Sequence, residues 1–332
     1  MNKIIITTTS FGEYDKGTLN ILDEAGFETI LNPYKRKLEK DEIVALCKDA
    51  VGIIAGTETL DADVLERLTQ ASARSPQSSL KVISRCGTGL DNVDLEAARK
   101  LDIKVFNTPD TPTLAVAELT VGLILGLLRK TSLTDREIRN GLWKKRIGNL
   151  LYGKRIGIIG FGRIGKKVAE LLKPFGCVIF YNDPFIAGEY FGVKCLHFDD
   201  LLKRADIVSI HASTKSELLG EKEIRLMKNG AWLINVSRGK IVNEDALYRA
   251  LKENRLAGAA LDVFKQEPYM GLLRELDNVI LTPHIGSYAR ETRIKMEMEA
   301  VENLLKGLKD ERDCEIKGLR DCGIVGLWDC EL

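Results

Sequence analysis

Three short segments in the second half of the chain carry residue types suited to moving a hydride and a proton. They are Val236-Ser237-Arg238-Gly239, Gln266-Glu267-Pro268 and Pro283-His284-Ile285-Gly286. Reduction of a 2-oxo acid needs a cation that holds the carboxylate and polarises the carbonyl. It also needs a proton donor for the alkoxide that forms, and a group that orients this donor. Arg238 offers a planar fork of donors matched to a carboxylate. His284 is of the residue type that gives or takes a proton near neutral pH. Glu267, if it reaches the ring of His284, would fix its tautomer and favour its protonated form. Each of the three alone fits an ordinary solvated strand end. Their co-occurrence downstream of a dinucleotide motif points to catalysis.

That motif is Gly160-Phe161-Gly162-Arg163-Ile164-Gly165, a G-x-G-x-x-G sequence. It directly follows the apolar run Ile156–Ile159 and directly opens an amphipathic stretch, the context that a dinucleotide fingerprint requires. Gly160 permits a tight turn, Gly162 lets backbone approach a pyrophosphate, and Gly165 allows helix and strand to pack closely. The helix N-terminus adds free N–H groups and a positive dipole end. Asp183 lies eighteen residues beyond Gly165, at the end of the next strand, where a carboxylate binds both ribose hydroxyls. A 2′-phosphate would meet that charge with no arginine in Asn182-Asp183-Pro184-Phe185, so the expected cofactor is NAD rather than NADP.

The elements that must position these residues are short β-branched runs alternating with amphipathic helices. This pattern implies an α/β protein with open parallel sheets. One series runs from the strand Lys3–Thr9 to the strand Lys104–Phe106, and a second from Arg155–Ile159 to Asn278–Thr282. Two long helices are expected to join them. The first is capped by Thr111, has Pro112 at its first position and runs to about Lys130. The second, from about Tyr288 to Leu308, is expected to bury Ile294, Met298, Val301, Leu305 and Leu308. A Rossmann domain at 105–285 is therefore predicted to be inserted into a substrate domain built from 1–104 and 286–312. With 45% hydrophobic and 29% charged residues and a net charge of +1, the composition is that of a soluble globular chain. Nothing in it draws the protein to nucleic acid or an anionic membrane. The apolar stretch Leu114–Leu128 is shorter than a span and contains Glu118. The start reads as a first strand rather than a signal peptide, and a cytoplasmic location is expected. Cys47, Cys86, Cys177 and Cys195 read as core residues. No histidine has metal-ligand spacing, so no metal is expected.

Taken together, Arg85-Cys86-Gly87-Thr88-Gly89-Leu90-Asp91-Asn92-Val93-Asp94, Ala117-Glu118-Leu119, the glycine motif with Asp183, and the three catalytic segments resemble the D-isomer-specific 2-hydroxyacid dehydrogenase family over residues 3–308. The resemblance implies that Arg238, Glu267 and His284 carry catalysis. It implies that the Cys86–Gly89 loop binds the substrate carboxylate through backbone N–H groups. Asp262 would contact the nicotinamide carboxamide, with Arg163, Ile164 and Thr214 lining the cofactor. It further implies a flavodoxin-like substrate domain and a homodimer formed through the NAD-binding domain. His211 matches a position beside the cofactor loop, and His197 reads as a surface residue. Ser213 departs from the family's usual proline.

Within the family the nearest look-alike is the branch acting on 3-phosphoglycerate and 3-phosphohydroxypyruvate, in a short form without a regulatory domain. A phosphate would need added cations. Arg85 and Lys144-Lys145-Arg146 are the candidates, although the latter run also fits a solvated surface. Reduction of glyoxylate, hydroxypyruvate or another 2-oxo acid stays open. So does a role of another class, as a non-enzymatic NAD-sensing, corepressor-like binding protein. From Asp313 an eight-residue period, Asp-Cys-x-Ile-x-Gly-Leu, repeats with Cys314, Cys322 and Cys330. It reads as a terminal extension over 313–332.

Overall fold

The structure, a computed structural model, describes residues 1–72, 79–214 and 216–309. The cysteine repeat lies outside the described residues. The chain divides into two compact units, Met1–Thr111 with the helix that starts at Arg290, and Pro112–Ala289. Both joints fall later than the expected 104/105 and 285/286. The first shift has a plain cause. Residues 104–107 hydrogen-bond along the first unit's sheet, so the unit cannot end at 104.

In the first unit the elements follow as β1 (Lys3–Ile6), α1 (Gly17–Glu24), β2 (Glu28–Leu31), α2 (Lys40–Cys47) and β3 (Ala50–Ala55). Then come α3 (Ala62–Ser72), β4 (Val82–Arg85), α4 (Leu95–Lys100) and β5 (Lys104–Asn107). The strands are all parallel, in the order β2-β1-β3-β4-β5, which is the flavodoxin-like order. Because both faces are covered, the inner strands read as unbroken apolar runs, as Ile4-Ile5-Ile6 and Ala50–Ala55 do. Ile5, Ile53 and Ile83 pack with residues of α2, α3 and α4. Ile4, Ile6, Ile54 and Val82 face Leu22 of α1 and the C-terminal helix.

The second unit opens with α5 (Thr113–Arg129) and α6 (Thr131–Arg139), followed by β6 (Arg155–Ile159), α7 (Arg163–Leu172), β7 (Val178–Asn182), β8 (Glu189–Tyr190) and β9 (Val193–Cys195). It continues through α8 (Phe198–Arg204), β10 (Ile207–Ile210), α9 (Glu221–Leu226), β11 (Ala231–Asn235), α10 (Glu244–Lys252), β12 (Leu256–Leu261) and β13 (Val279–Leu281). The sheet order is β13-β12-β11-β10-β6-β7-β9-β8, and β8 alone runs antiparallel. The order reverses between β6 and β10, the switch point at which such sheets take ligands. No helix among the described residues is long and apolar enough to cross a membrane.

Two expectations about the long helices are corrected. Thr111 does not cap α5: its hydroxyl donates to Glu299, and Pro112 takes the N-cap position. The helix α11 (Arg290–Leu308) buries Arg293, Met296, Glu297, Ala300, Val301 and Leu304. Of the expected stripe only Val301 lies fully inside, while Leu305 and Leu308 are partly buried against the same core. The stripe is rotated because Arg293 and Glu297 neutralise each other and so tolerate burial that a hydrophobicity pattern assigns to apolar residues. Sequence patterning also missed the β8–β9 hairpin, which is only a few residues long.

Candidate active site

Every segment singled out in the second unit sits at the carboxyl edge of its sheet. After β6 the chain turns through Gly160, with φ +87, into α7. A Cβ on Gly160 would lie 2.5 Å from the Ala212 nitrogen, and one on Gly165 2.2 Å from the Gly160 oxygen. Protein packing therefore demands glycine at both places. At Gly162 a Cβ would meet nothing within 4 Å. What glycine leaves there is bare backbone at a helix N-terminus, the cradle that a pyrophosphate fills. Arg163 is exposed at the first turn of α7, and Ile164 packs partly against the core.

Asp183, just past β7, braces this loop. Its Oδ2 accepts the Phe161 N–H at 2.7 Å and its Oδ1 the Phe185 N–H at 2.9 Å. Each oxygen keeps a lone pair, so ribose hydroxyls fit the same carboxylate. On the other side of β6, His211 follows β10. Its Nε2 meets Ser209 Oγ at 2.8 Å, and its Nδ1 is buried without a partner among the described residues. Part of the residue reaches solvent, but Nδ1 does not, and burial pushes the imidazole down to about 3. Thr214 closes a local turn by accepting the Ser216 N–H at 3.1 Å. His197 is exposed ahead of α8.

The catalytic candidates follow β11, β12 and β13, which are adjacent strands. Arg238 stands on a loop held by Asn235, a residue that sequence reasoning missed. The fully buried Asn235 amide accepts the Ser237 N–H and hydroxyl at 3.1 and 2.9 Å and donates to the Arg238 carbonyl at 3.0 Å. The only signal available was a polar residue ending an apolar strand. Gly239 presses this loop against the next, since a Cβ there would sit 1.8 Å from the Phe264 carbonyl carbon. The N–H of the same Phe264 donates to Glu267 Oε1 at 3.0 Å, while Glu267 Oε2 lies 2.9 Å from His284 Nδ1. A carboxylate facing Nδ1 assigns the hydrogen to that nitrogen and leaves Nε2 to exchange a proton with substrate.

His284 has φ +56, a left-handed conformation uncommon for any residue but glycine. Asp262 holds it there. Its carboxylate accepts the Thr282 hydroxyl at 2.6 Å and the Ile285 and Gly286 N–H groups, each at 2.8 Å. Burial pushes the Asp262 carboxyl above the ordinary carboxylate range, against those three donors and the neighbouring imidazole. Asp262 thus anchors the histidine loop, a task the sequence did not disclose. Glu267, His284 and Asp262 form a carboxylate-oriented imidazole with its brace, and Arg238, whose Nη1 donates to the Ser237 carbonyl at 2.8 Å, stands on the loop after the adjacent strand.

In the first unit the expected substrate loop follows β4. Cys86 N–H donates to Ala55 O and Gly87 N–H to Arg85 O, both at 2.9 Å. The loop's offer of N–H groups therefore narrows to Thr88 and Gly89, which have no acceptor among the described residues. Arg85 folds back over Gly87, its Nη1 donating to the Cys86 carbonyl at 2.6 Å.

Comparison with known proteins decides what this arrangement belongs to. Residues 121–286 match the sequence profile described as D-isomer specific 2-hydroxyacid dehydrogenase, NAD binding domain. A glyoxylate reductase of Thermococcus litoralis is 40% identical over 271 residues, covering 77% of this chain and 79% of that protein. The chain belongs to this family. A second D-2-hydroxyacid dehydrogenase relative, the D-3-phosphoglycerate dehydrogenase of Archaeoglobus fulgidus, is 36% identical over 82% of this chain. The chain spans about half the length of that relative, 53%. A crystal structure of a Thermus thermophilus protein superposes with a TM-score of 0.82 at 37% identity, covering 92% of this chain and 96% of that one. The second unit is thus the NAD-binding domain of a D-2-hydroxyacid dehydrogenase, and the glycine loop with Asp183 fits that cofactor.

Proposed function

We propose that the protein is an NAD-dependent dehydrogenase interconverting a D-2-hydroxy acid and its 2-oxo acid. The observation that carries this reading is the 2.9 Å contact of Glu267 with His284 Nδ1 beside the Arg238 loop. Bound at the glycine loop, the nicotinamide cofactor supplies or accepts the hydride at C2 of the substrate. The Arg238 guanidinium holds the carboxylate and draws charge toward the carbonyl oxygen. His284 Nε2 gives its proton to the oxygen as the alkoxide forms, and Glu267 stabilises the ring against its own change of charge. Asp183 is proposed to hold the ribose, Arg163, Ile164 and Thr214 to line the cofactor, and Asp262 to meet the carboxamide while it braces the loop. The N–H groups of Thr88 and Gly89 are proposed to receive the substrate carboxylate.

The substrate is proposed to be a small unphosphorylated 2-oxo acid such as glyoxylate or hydroxypyruvate. Of the four cations expected to bind a phosphate, the two arginines bond within their own units, while Lys144 and Lys145 are exposed. Arg146 pairs through both Nε and Nη2 with Glu137, and Arg85 bonds to its own loop. The glyoxylate reductase relative, matched over most of its length, supports the same choice.

The protein is also proposed to form a homodimer through the NAD-binding unit. The strap at 142–150 is pinned at Arg146–Glu137 and by the Asn149 N–H on Leu128 O at 2.8 Å. It nevertheless leaves Trp143, Ile147 and Leu150 exposed to 86%, 90% and 72%. Ordered apolar side chains turned outward on a fixed strap are what a protein interface uses.

The test is NADH oxidation by the purified chain against glyoxylate, hydroxypyruvate, pyruvate and 3-phosphohydroxypyruvate, with His284→Ala alongside. Turnover of the unphosphorylated acids, lost in the variant while NADH still binds, is the expected result. Preference for the phosphorylated acid would overturn the substrate assignment, and full activity of His284→Ala would overturn the mechanism.

A further inference from the structure

The face that α11 turns inward carries an ion pair. Arg293 Nη2 lies 3.2 Å from Glu297 Oε1, with the two side chains only 5% and 2% exposed. The other carboxylate oxygen, Glu297 Oε2, accepts the Gly12 N–H at 3.0 Å. Cys86 is buried in the same core as Phe11 and as Met296 and Ala300 of α11. One turn further along α11, the Ala300 carbonyl accepts the buried Ser84 hydroxyl at 2.8 Å. α11 therefore grips two segments at once, the loop after β1 at Gly12 and the end of β4 with the loop beyond it. Both loops leave the carboxyl edge of the first sheet, the edge where open α/β sheets take ligands.

Stability alone does not account for such a pair. Apolar residues of similar volume in place of a buried ion pair are often as stable or more so. A carboxylate and a guanidinium do what leucine and methionine cannot, which is to fix direction. Glu297 orients a backbone N–H at a turn where Gly12 has φ +74, and the pair fixes the rotation of α11, whose Met296 and Ala300 share one core with Cys86, the first residue of the 86–89 loop. On its other side this loop is held by Arg85 over Gly87 and by the Asn107 amide, which donates to the Thr88 carbonyl at 2.7 Å.

We propose that Arg293 and Glu297 are positioning residues for the 86–89 loop, fixing where Thr88 and Gly89 present their N–H groups and so setting affinity for the 2-oxo acid. The proposal rests on reading that loop as the carboxylate site. Neither residue is required to touch substrate, and neither takes part in proton or hydride transfer.

The experiment is steady-state NADH oxidation with glyoxylate by the full chain, Glu297→Gln, the apolar double variant Arg293→Met/Glu297→Met, and Gly87→Ala. Gly87→Ala disturbs the loop itself, because Gly87 has φ +154 and a Cβ would fall 1.2 Å from Arg85 Nη1. For both pair variants KM should rise about tenfold, the scale of one charge-assisted hydrogen bond, with kcat and the NADH dissociation constant unchanged. A pair that serves stability alone would instead lower the melting temperature and the active fraction, reducing kcat at constant KM, and that pattern overturns the proposal. If the double variant does not fold, Glu297→Gln carries the same comparison. A raised KM in Gly87→Ala with unchanged KM in the pair variants refutes the positioning role and leaves the loop reading standing. Unchanged KM in Gly87→Ala refutes the loop reading and the positioning role with it.

Discussion

At the scale of single residues, the site depends on polar groups that are satisfied from one side and open on the other. His284 is held at positive φ by donors converging on Asp262, and its ring is set by Glu267. Arg238, Glu267 and His284 stood out as candidates because their types declare their chemistry. Asn235 and the bracing role of Asp262 were not, because hydrogen bonds to backbone leave no mark in residue type. His211 makes a separate prediction. Burial lowers its folded value to about 3, whereas in the unfolded chain a histidine titrates near 6.5. Below pH 6.5 the unfolded state takes up a proton that the folded state refuses. Stability should therefore fall as pH drops from about 6.5 toward about 3, by at most about 1.4 kcal/mol per unit from this group. His211→Gln should lose about 2 kcal/mol less than wild type between pH 6.5 and 5, read from urea midpoints. Identical acid sensitivity of the two proteins would remove His211 as the cause.

At the scale of elements, the strand–turn–helix at 155–172 separates packing from binding. Gly162→Ala should fold normally, since its Cβ meets nothing within 4 Å, yet should weaken NADH binding by about tenfold or more through contact with the pyrophosphate. Gly165→Ala places a Cβ 2.2 Å from the Gly160 oxygen and should lose both stability and binding. Thermal melts with and without NADH separate the cases. Equal binding by Gly162→Ala and wild type would mean that the cofactor lies elsewhere. The strands were readable because each is short, apolar and buried on both faces. The face of α11 was misread because a hydrophobicity pattern cannot foresee that two opposite charges four residues apart go inside together.

At the scale of the whole molecule, the two units each carry an open parallel sheet with its loops at the carboxyl edge, and the second adds the strap at 142–150. If that strap is the dimer contact, Trp143→Glu with Ile147→Lys should shift the protein to monomer in light scattering at micromolar concentration. Two charges inserted into a desolvated contact remove several kcal/mol of association energy. A dimer that survives both substitutions would place the interface on another surface. The preference proposed for an unphosphorylated substrate also arises at this scale. A run of cations in sequence reads as free positive charge, but folding brings Glu137 against Arg146 and turns Arg85 onto its own loop.

The sequence by itself determined the α/β alternation, the glycine turn with its carboxylate, and the types of the three side chains proposed for catalysis. Those signals are local: a periodicity, a spacing of a few residues, or a functional group intrinsic to a side chain. The tertiary structure decided what depends on residues far apart in the chain. It set the pairing of Glu267 with His284, the carboxylate that steadies the histidine loop, the N–H groups still free at Thr88 and Gly89, and the burial of Arg293 with Glu297. The physical reason is common to all of these. Whether a charge is free, paired or desolvated depends on its neighbours in space, and the sheet order that brings those neighbours together follows from long-range packing.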